Sequence, residues 1–208
     1  HRPDPEVPME ESYAALADLV AAGRVAEIGI SNHASWQLLE MIHLAERRGW
    51  PRPSVSQVIY NVLIRQIEVE YLRFANRYGV HTTVYNALAG GILTPRYAEK
   101  PEAPVAGTRF DGNPLYVRRY WTDRMFAHRR ALAAIAADDG MTLDVLAYAW
   151  LAGRPGVSSI LLGPASVAQL DGAIDACARR LSPCALEVID SLQAELSGTD
   201  ARYARSLT

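Results

Sequence analysis

The sequence predicts an α/β protein built on a parallel sheet, and two features of the chain lead to this prediction. Short β-branched runs alternate with amphipathic segments, and successive runs start roughly thirty residues apart, about the length of one βα unit. The runs are bounded by Gly, Pro, Asn or Ser, as buried strands commonly are. Right-handed crossovers then favour either a doubly wound sheet or a barrel, and both stay open at this point.

The first half of the chain carries the clearest elements. Residues 8–25 predict a helix that opens with Pro and Glu and places Leu16, Leu19 and Val20 on one face. Three strands and two intervening helices follow, at 25–31, 54–60 and 80–86 and at 35–49 and 66–79. Each of the helical patterns ends at a Gly, which is a common stop signal at a helix C-terminus.

The second half begins with an irregular stretch. Residues 86–124 contain many turn formers and no clear hydrophobic period, and so long an insertion in a compact domain is typical of a functional loop or lid. Regular patterns then resume, with two helices and an apolar strand at 123–140, 142–153 and 157–163. The last segment, 182–208, places Ser182 before Pro183, which predicts a closing helix followed by a tail.

Composition limits the classes of function. The 208 residues are half hydrophobic and carry a formal net charge of −2, so a real core is expected and a nucleic-acid or membrane partner has no electrostatic support. No apolar run approaches the roughly twenty residues that span a bilayer. Cys177 and Cys184 lack metal-ligand spacing, so no metal site is predicted; reduced thiols in a cytoplasmic protein are expected, and a disulfide stays open. Three tryptophans are interpreted as core or pocket-wall residues, namely Trp36, Trp121 and Trp150.

Polar residues gather at the carboxyl ends of the predicted strands. They are Ser31 and Asn32, residues 57–61, Tyr85 and Asn86, and the chain from Gly163 onward. In doubly wound sheets and in barrels alike, chemistry occurs where strands end and helices begin, so these residues are the site candidates. Several side-chain amides at one edge of a sheet suit a ligand rich in amide and phosphate groups. An alternative also stands, because Asn32, Asn61 and Asn86 fit the role of turn formers and helix caps.

Five motifs along these elements carry a resemblance. They are "HRPDP" at the start, "GISN" after the first strand, "SQVIYN" on the second, "VYNALAGGILT" on the third and "LLGPASVAQL" on the last. In this order and spacing the sequence resembles the aldo-keto reductases, in particular the branch of aryl-alcohol and aflatoxin-aldehyde reductases and potassium-channel β subunits. The resemblance implies a (β/α)8 TIM barrel, with the 208 residues as one partial barrel domain from after strand 4 through strand 8. It also implies NADP(H) at the C-terminal mouth.

The resemblance assigns the nicotinamide end of the cofactor to four residues. Ser31, Asn32 and Gln57 would hydrogen-bond the carboxamide, which offers both a carbonyl acceptor and N–H donors. Tyr85 would stack its ring on the nicotinamide and fix which face of that ring is exposed.

The pyrophosphate would approach Asn86 and the backbone of residues 88–91, including Leu88 and Gly90. Small residues there leave room for phosphate oxygens against main-chain N–H groups. The resemblance therefore implies a phosphate cradle directly after the third predicted strand.

Charged and adenosine contacts complete the implied cofactor set. Arg96 stands where such reductases often have a Lys and would bind a phosphate as a bidentate donor, with Arg109 as a second cationic contact. At the adenosine end Gly163 and Gln169 match the family. Ala165 and other small residues replace the basic and acidic partners that hold the 2′-phosphate and adenine, so NAD(H) stays open as an alternative to NADP(H).

The family's catalytic set is only partly present. The family uses an Asp, a Tyr, a Lys and a His; the Tyr protonates the carbonyl oxygen as hydride arrives, and the His orients the carbonyl. His1 corresponds to this histidine. The other three have no counterpart here, since Lys100 is excluded by its position in the irregular stretch. We therefore expect the chain to be the C-terminal part of a longer reductase.

Three possibilities follow from these residues. The first is reduction of a small aldehyde or ketone by hydride from NADPH. The second is a non-catalytic nucleotide-binding barrel that serves as a sensor or scaffold, or a truncated inactive reductase; a half-barrel completed by a partner chain is a third possibility. The sequence predicts neither the natural substrate nor the oligomeric state. The irregular stretch offers aromatic and arginine side chains that suit a planar or anionic substrate or a solvated loop, namely Phe110, Tyr116, Tyr120, Trp121, Arg118 and Arg119.

Overall fold

The computed structural model describes residues 1–197, and the chain forms two compact units. The first unit comprises residues 1–59, 66–85 and 155–159; the second comprises residues 60–65, 86–154 and, within the described part, 160–197. The predicted segment 182–208 reaches into residues 198–208, which lie outside the described residues.

Helices and strands alternate through most of the chain. In order they are α1 (Met9–Ala21), β1 (Ile28–Ser31), α2 (Ser35–Arg48), β2 (Pro53–Ile59), α3 (Tyr71–Arg77), β3 (His81–Tyr85), α4 (Pro114–Tyr120), α5 (Asp123–Asp138), α6 (Leu143–Ala152), β4 (Ser159–Ile160), α7 (Val167–Ala178) and α8 (Pro183–Ser197). Short 3-10 helices at Gln66–Glu68 and Ala89–Gly91 follow β2 and β3. Among residues 1–197, no helix is both long and apolar enough to cross a membrane.

The four strands form one sheet in the order β1-β2-β3-β4. β1 pairs with β2, and β2 with β3, in parallel; Ser31 stands opposite Gln57 and Gln57 opposite Thr83. The predicted α/β class with a parallel sheet is therefore confirmed. Because parallel strands end at the same edge, this register places Ser31, the last residue of β1, beside Gln57, and it places the last residues of β2 and β3, Ile59 and Tyr85, opposite each other.

The two faces of the sheet in the first unit differ in burial. Ser56 and Val84 are fully buried, and the Ser56 hydroxyl hydrogen-bonds the Tyr71 hydroxyl of α3 at 2.5 Å. Gln57 and Thr83, which alternate with these positions, are half-buried. Since side chains alternate between the faces of a strand, the helices cover one face and the predicted site residues lie on the other.

The buried face of α1 is not the predicted one. Tyr13 and Ala17 are buried, whereas Leu16 and Leu19 are 37% and 43% exposed. The Tyr13 hydroxyl donates a hydrogen bond to the Pro51 carbonyl at 2.6 Å, which turns this side of α1 toward the rest of the first unit. The predicted helix forms, but the face of Leu16, Leu19 and Val20 is not the buried one, because apolar spacing alone does not reveal a tyrosine that anchors the helix.

Trp36 is a second correction. Its side chain is 60% exposed, so Trp36 is not a core residue, whereas Trp121 and Trp150 are buried as predicted. The inward stripe of α2 is formed instead by Leu38 and the residues one turn and two turns later, and Trp36 lies off that stripe. The helix ends at Gly49, which adopts the left-handed conformation that the predicted stop signal requires.

Three predicted elements differ in length. The helix predicted at 66–79 is broken into the 3-10 helix and α3, and the strand predicted at 157–163 is only the two residues of β4. Within the irregular stretch 86–124 the α-helix α4 forms, because the Asn113 side chain caps its N-terminus and Pro114 occupies the first turn. Short elements of this kind depend on local caps and tertiary contacts more than on periodicity.

Candidate functional site

In the first unit, three predicted site residues are joined by hydrogen bonds at the strand ends. The backbone turns at Asn32, immediately after β1, where φ is 56°. The Asn32 amide nitrogen donates to the Ser31 hydroxyl at 2.9 Å, and the Tyr85 hydroxyl donates to the Asn32 amide oxygen at 2.8 Å. The structure therefore brings Ser31, Asn32 and Tyr85 together, as their positions at the strand ends predict.

Gln57 and His1 lie beside this group. Gln57 stands opposite Ser31 in the register, and its carbonyl accepts a hydrogen bond from the Asn32 backbone N–H at 3.1 Å. The His1 carbonyl lies 3.3 Å from the Asn32 amide nitrogen, which donates to it. Asn32 is thus a turn former, which was the alternative role considered from sequence. It also connects the strand ends through its hydrogen bonds.

His33 has a role that the sequence did not reveal. Its Nδ1 lies 2.9 Å from the Ser31 carbonyl oxygen; a carbonyl only accepts, so Nδ1 carries the proton. Burial lowers the pKa of His33 below its usual range. A neutral imidazole therefore braces the end of β1 just before α2.

A cleft of about 290 Å³ adjoins Asn32 in the first unit. His33, Glu70 and Tyr71 supply its ionisable lining, while Val58 and Ile67 supply apolar walls. The Ser35 hydroxyl donates to a Glu70 carboxylate oxygen at 2.7 Å, so this carboxylate ties the start of α2 to the start of α3.

In the second unit, the predicted phosphate cradle is a strained loop. Positive φ angles occur at Asn86 (67°), Ala89 (51°), Gly90 (71°) and Gly91 (105°). The N–H groups of the last three of these residues donate within the loop, to the Asn86 carbonyl, the Asn86 amide oxygen and the Leu88 carbonyl. These three N–H groups stabilise the loop itself, so the backbone has fewer N–H donors to offer a phosphate.

A buried polar network supports this loop. The Asn86 amide nitrogen donates to the Tyr120 hydroxyl at 2.7 Å, and the Asn61 amide nitrogen donates to the same hydroxyl at 3.0 Å. Asn61 also donates to the Asn86 carbonyl at 3.0 Å, and both Asn61 and Tyr120 are fully buried. No sequence signal pointed to Tyr120 in this role beyond its place among the aromatic residues of the irregular stretch.

Aromatic packing surrounds the bare backbone of Gly90. A Cβ atom at this position would lie 2.8 Å from a ring carbon of Tyr116. The guanidinium of Arg109 lies 5.7 Å from the centroid of the same ring, while Arg96 is exposed on the chain that follows the loop. Phe110 and Trp121, proposed from sequence for a planar substrate or a solvated loop, are instead buried with their rings 4.8 Å apart.

A buried arginine fixes the segment that carries Arg96. Arg129 is 7% exposed and donates to the carbonyls of Ile92, Thr94 and Ala98 at 3.1 to 3.3 Å. Burial lowers the pKa of Arg129, and the nearby Glu99 opposes that shift. The sequence did not single out this residue, because its position on α5 looks like any other charged helix residue.

The predicted adenosine residues lie at the start of α7. Gly163 is exposed, and the Gln169 amide oxygen accepts a hydrogen bond from the Ala165 N–H at 2.8 Å. The Gln169 N–H in turn donates to the Ser166 hydroxyl at 3.3 Å. Ser166 therefore caps α7, and the Gln169 side chain holds the residue just before this cap, so Gln169 stabilises the helix start.

The comparisons with known proteins place the chain in a family. The model of the Aldo/keto reductase family matches residues 1–194, and the chain belongs to this family. An aldo-keto reductase of Pseudocercospora fijiensis is 31% identical over 179 residues, which are 82% of this chain and 60% of that protein. Aflatoxin B1 aldehyde reductase member 2 of Mus musculus is 32% identical over 205 residues, 91% of this chain and 56% of that protein.

A third relative belongs to the other part of the predicted branch. A probable voltage-gated potassium channel subunit beta of Oryza sativa subsp. japonica is 34% identical over 166 residues, 78% of this chain and 50% of that protein. The family and branch named from the five motifs are therefore confirmed. The chain spans between 50% and 60% of the length of these three relatives.

Proposed function

We propose that this chain supplies the later βα units of a (β/α)8 barrel and binds NADP(H) for the reduction of an aldehyde or ketone. The observation that carries the proposal is the hydrogen-bonded group of Ser31, Asn32 and Tyr85, which stands opposite Gln57 at the ends of three parallel strands. Family membership supports the oxidoreductase class. When bound, the reduced nicotinamide supplies the hydride.

The strand-end residues fit a nicotinamide. Ser31 and Gln57 present a hydroxyl and an amide side by side, which suit a carboxamide that needs both donors and acceptors. Asn32 uses its amide to hold Ser31 and Tyr85 in place. Because its hydroxyl is fixed by Asn32, the Tyr85 ring is a preorganised apolar platform, and orientation of the nicotinamide would cost little entropy.

The loop of the second unit fits a pyrophosphate through charge. Gly90 itself is required by the aromatic packing, because a side chain at this position would collide with Tyr116. The N–H groups of residues 89–91 are engaged within the loop, so we assign the main anion contacts to the guanidinium groups of Arg96 and Arg109. Arginine suits this role because its planar fork binds phosphate in a bidentate manner.

In this proposal His1 places the carbonyl, and no proton donor is assigned within the described residues. Lys100 is not that group, because its ammonium forms an ion pair with Asp123 at 2.8 Å. The Lys100 ammonium in turn lowers the pKa of the Asp123 carboxyl.

A second candidate function is nucleotide binding without catalysis. The similarity to a probable voltage-gated potassium channel subunit beta, 34% identical over 166 residues, favours it. The Asn32 and Asn86 networks would serve binding in either case. Turnover of a bound cofactor separates the two functions.

Fluorescence titration with NADPH and NADH tests the proposal. Wild-type protein should bind NADPH, and Tyr85→Ala and Gln57→Ala should each weaken binding by about tenfold, or ~1.4 kcal/mol. Tyr78→Ala, at another half-buried tyrosine of the first unit, is the matched control and should bind like wild type. Equal affinities of all three variants and wild type would exclude the assigned cofactor site.

A turnover assay completes the test. An aldehyde added to the NADPH complex should be reduced to the alcohol as the cofactor is oxidised. Tight binding with no alcohol formed would select the non-catalytic function. If NADH bound more tightly than NADPH, the proposed cofactor would be NAD(H) instead of NADP(H). The assignment of the strand-end residues to the nicotinamide would not change.

A further inference from the structure

We infer that Tyr120 is a positioning residue that sets the geometry of the candidate phosphate loop through the amide of Asn86; the inference rests on the proposed cofactor function. Tyr120 is the last residue of α4 and is fully buried. Its hydroxyl accepts hydrogen bonds from two amide nitrogens, those of Asn61 and Asn86. The hydroxyl therefore holds the nitrogen end of the Asn86 amide.

The orientation of this amide matters because its other end holds the loop. With the Asn86 nitrogen bound to Tyr120, the Asn86 amide oxygen faces the Gly90 N–H and accepts from it at 2.8 Å. An amide rotated by half a turn would turn its own N–H groups toward the Gly90 N–H, and two donors cannot form a hydrogen bond. A hydroxyl can donate as well as accept, so it is the Gly90 N–H that selects this orientation, and the Tyr120 hydroxyl holds the amide in it from the other end.

The loop needs such support because its backbone is strained. Asn86 and Ala89 have φ angles of 67° and 51°, in the left-handed region that disfavours residues with a side chain, alanine more than asparagine. Strain of this kind persists only where the surroundings over-determine the backbone, and it often occurs at functional sites. Buried Asn61, whose amide oxygen accepts from the N–H groups of Leu63 and Ile64, anchors the network from the second side.

Tyr120 differs from the residues already assigned to the site. It is fully buried, and it acts through Asn86 rather than through a contact of its own with a cofactor. A phenylalanine keeps the ring and its packing while removing the acceptor for both amides. Tyr120→Phe therefore isolates the positioning role from the role of the ring in the aromatic core.

Amide hydrogen exchange in the cofactor-free protein is the first test. In Tyr120→Phe the Gly90 N–H should exchange roughly tenfold faster or more, because its acceptor is no longer held. The Gly91 N–H, which donates to the Leu88 carbonyl at 2.8 Å, is the internal control and should keep its rate. Asn86→Ala removes the acceptor directly and gives the reference rate for a Gly90 N–H without it. Equal acceleration at Gly90 and Gly91 would indicate general loosening and would overturn the inference.

A double-mutant cycle on cofactor affinity is the second test. Tyr120→Phe should weaken NADPH binding about fivefold to twentyfold, and the double variant with Asn86→Ala should bind no more weakly than Asn86→Ala alone. ADP, a pyrophosphate probe without nicotinamide, should weaken by the same factor in Tyr120→Phe but not in Tyr85→Phe. The inference would be contradicted if the fold-losses in NADPH affinity of the two single variants multiplied in the double variant, or if Tyr120→Phe bound NADPH like wild type. Either result would leave the proposed function standing. A wild-type protein that binds no NADPH would overturn both.

Discussion

The strand ends of the first unit and the glycine loop of the second unit are organised by different means. At the strand ends, strand register brings Asn32 and Tyr85 together across 53 positions of sequence, and one hydrogen bond of 2.8 Å fixes them. In the loop, a left-handed backbone is held by Asn61 and Tyr120, which are themselves 59 positions apart. A parallel sheet therefore places site residues by periodicity, whereas a strained loop needs a buried polar network placed by tertiary contacts.

Gly90→Ala tests the loop most severely. The new Cβ would lie 2.8 Å from Tyr116, at a φ of 71°, so we expect a loss of about 2–4 kcal/mol in the free energy of unfolding. Gly107→Ala is the matched control, because Gly107 has the same φ and, among the described residues, nothing lies within 4 Å of the position that its Cβ would occupy; it should lose about 1 kcal/mol. Denaturant titration measures both. Equal losses would show that the Tyr116 ring moves aside freely and that the loop is less constrained than we describe.

Arg129→Met tests the buried support of the chain after the loop. It removes the donors for the carbonyls of Ile92, Thr94 and Ala98, so the free energy of unfolding should fall by about 2–3 kcal/mol. The exposed neighbour Arg130, 3.5 Å from Glu99, is the control, and Arg130→Met should stay within about 0.5 kcal/mol of wild type. Similar small losses in the free energy of unfolding at both positions would mean that water donates to the three carbonyls once the guanidinium is removed.

Tyr85→Phe tests the strand ends, where a smaller effect is expected. It removes one hydrogen bond to Asn32 and should lower the free energy of unfolding by about 1 kcal/mol. Asn32→Gly removes the same bond from the other side while tolerating the φ of 56°. In the double variant the two losses should not add, because they share one interaction. Additive losses would show that the hydroxyl and the amide are not coupled.

The pH dependence at His33 is the smallest expected effect. Burial lowers the pKa of His33 in the folded protein below its ordinary value of 6.5, so the unfolded chain binds the proton more tightly. The stabilisation of the folded state is therefore present at pH values above the pKa of the unfolded chain, and it is lost as the pH falls through the pKa of the folded protein. The free energy of unfolding, measured at pH values from above the unfolded pKa to below the folded pKa, should decline toward acid pH in wild type and decline less in His33→Ala. An equal decline in both proteins would show that His33 does not brace the strand ends as a neutral imidazole.

The part of the molecule that sequence predicted well is the part governed by periodicity. The α/β alternation, the parallel sheet and the meeting of Ser31, Asn32 and Tyr85 all follow from strand patterns whose carboxyl ends share an edge. The family followed from five motifs in order.

The rest depended on contacts that no local pattern announces. The buried face of α1 is set by one hydrogen bond from Tyr13 to Pro51. Tyr120 and Arg129 are a tyrosine and an arginine in stretches that look solvent-facing, and only the folded second unit shows which carbonyls and amides they satisfy. Buried polar networks specify geometry through partners that are distant in sequence, so they are found from structure.

A hydrogen-exchange footprint of the protein with and without saturating NADPH decides whether the strand ends and the loop bind the cofactor. We predict slower exchange at residues 31–33, 57–61 and 85–91, with unchanged rates along α6, which has no assigned contact. The proposal that these residues bind a reduced nicotinamide nucleotide would be contradicted if neither the strand ends nor the loop were protected, whether or not other segments were.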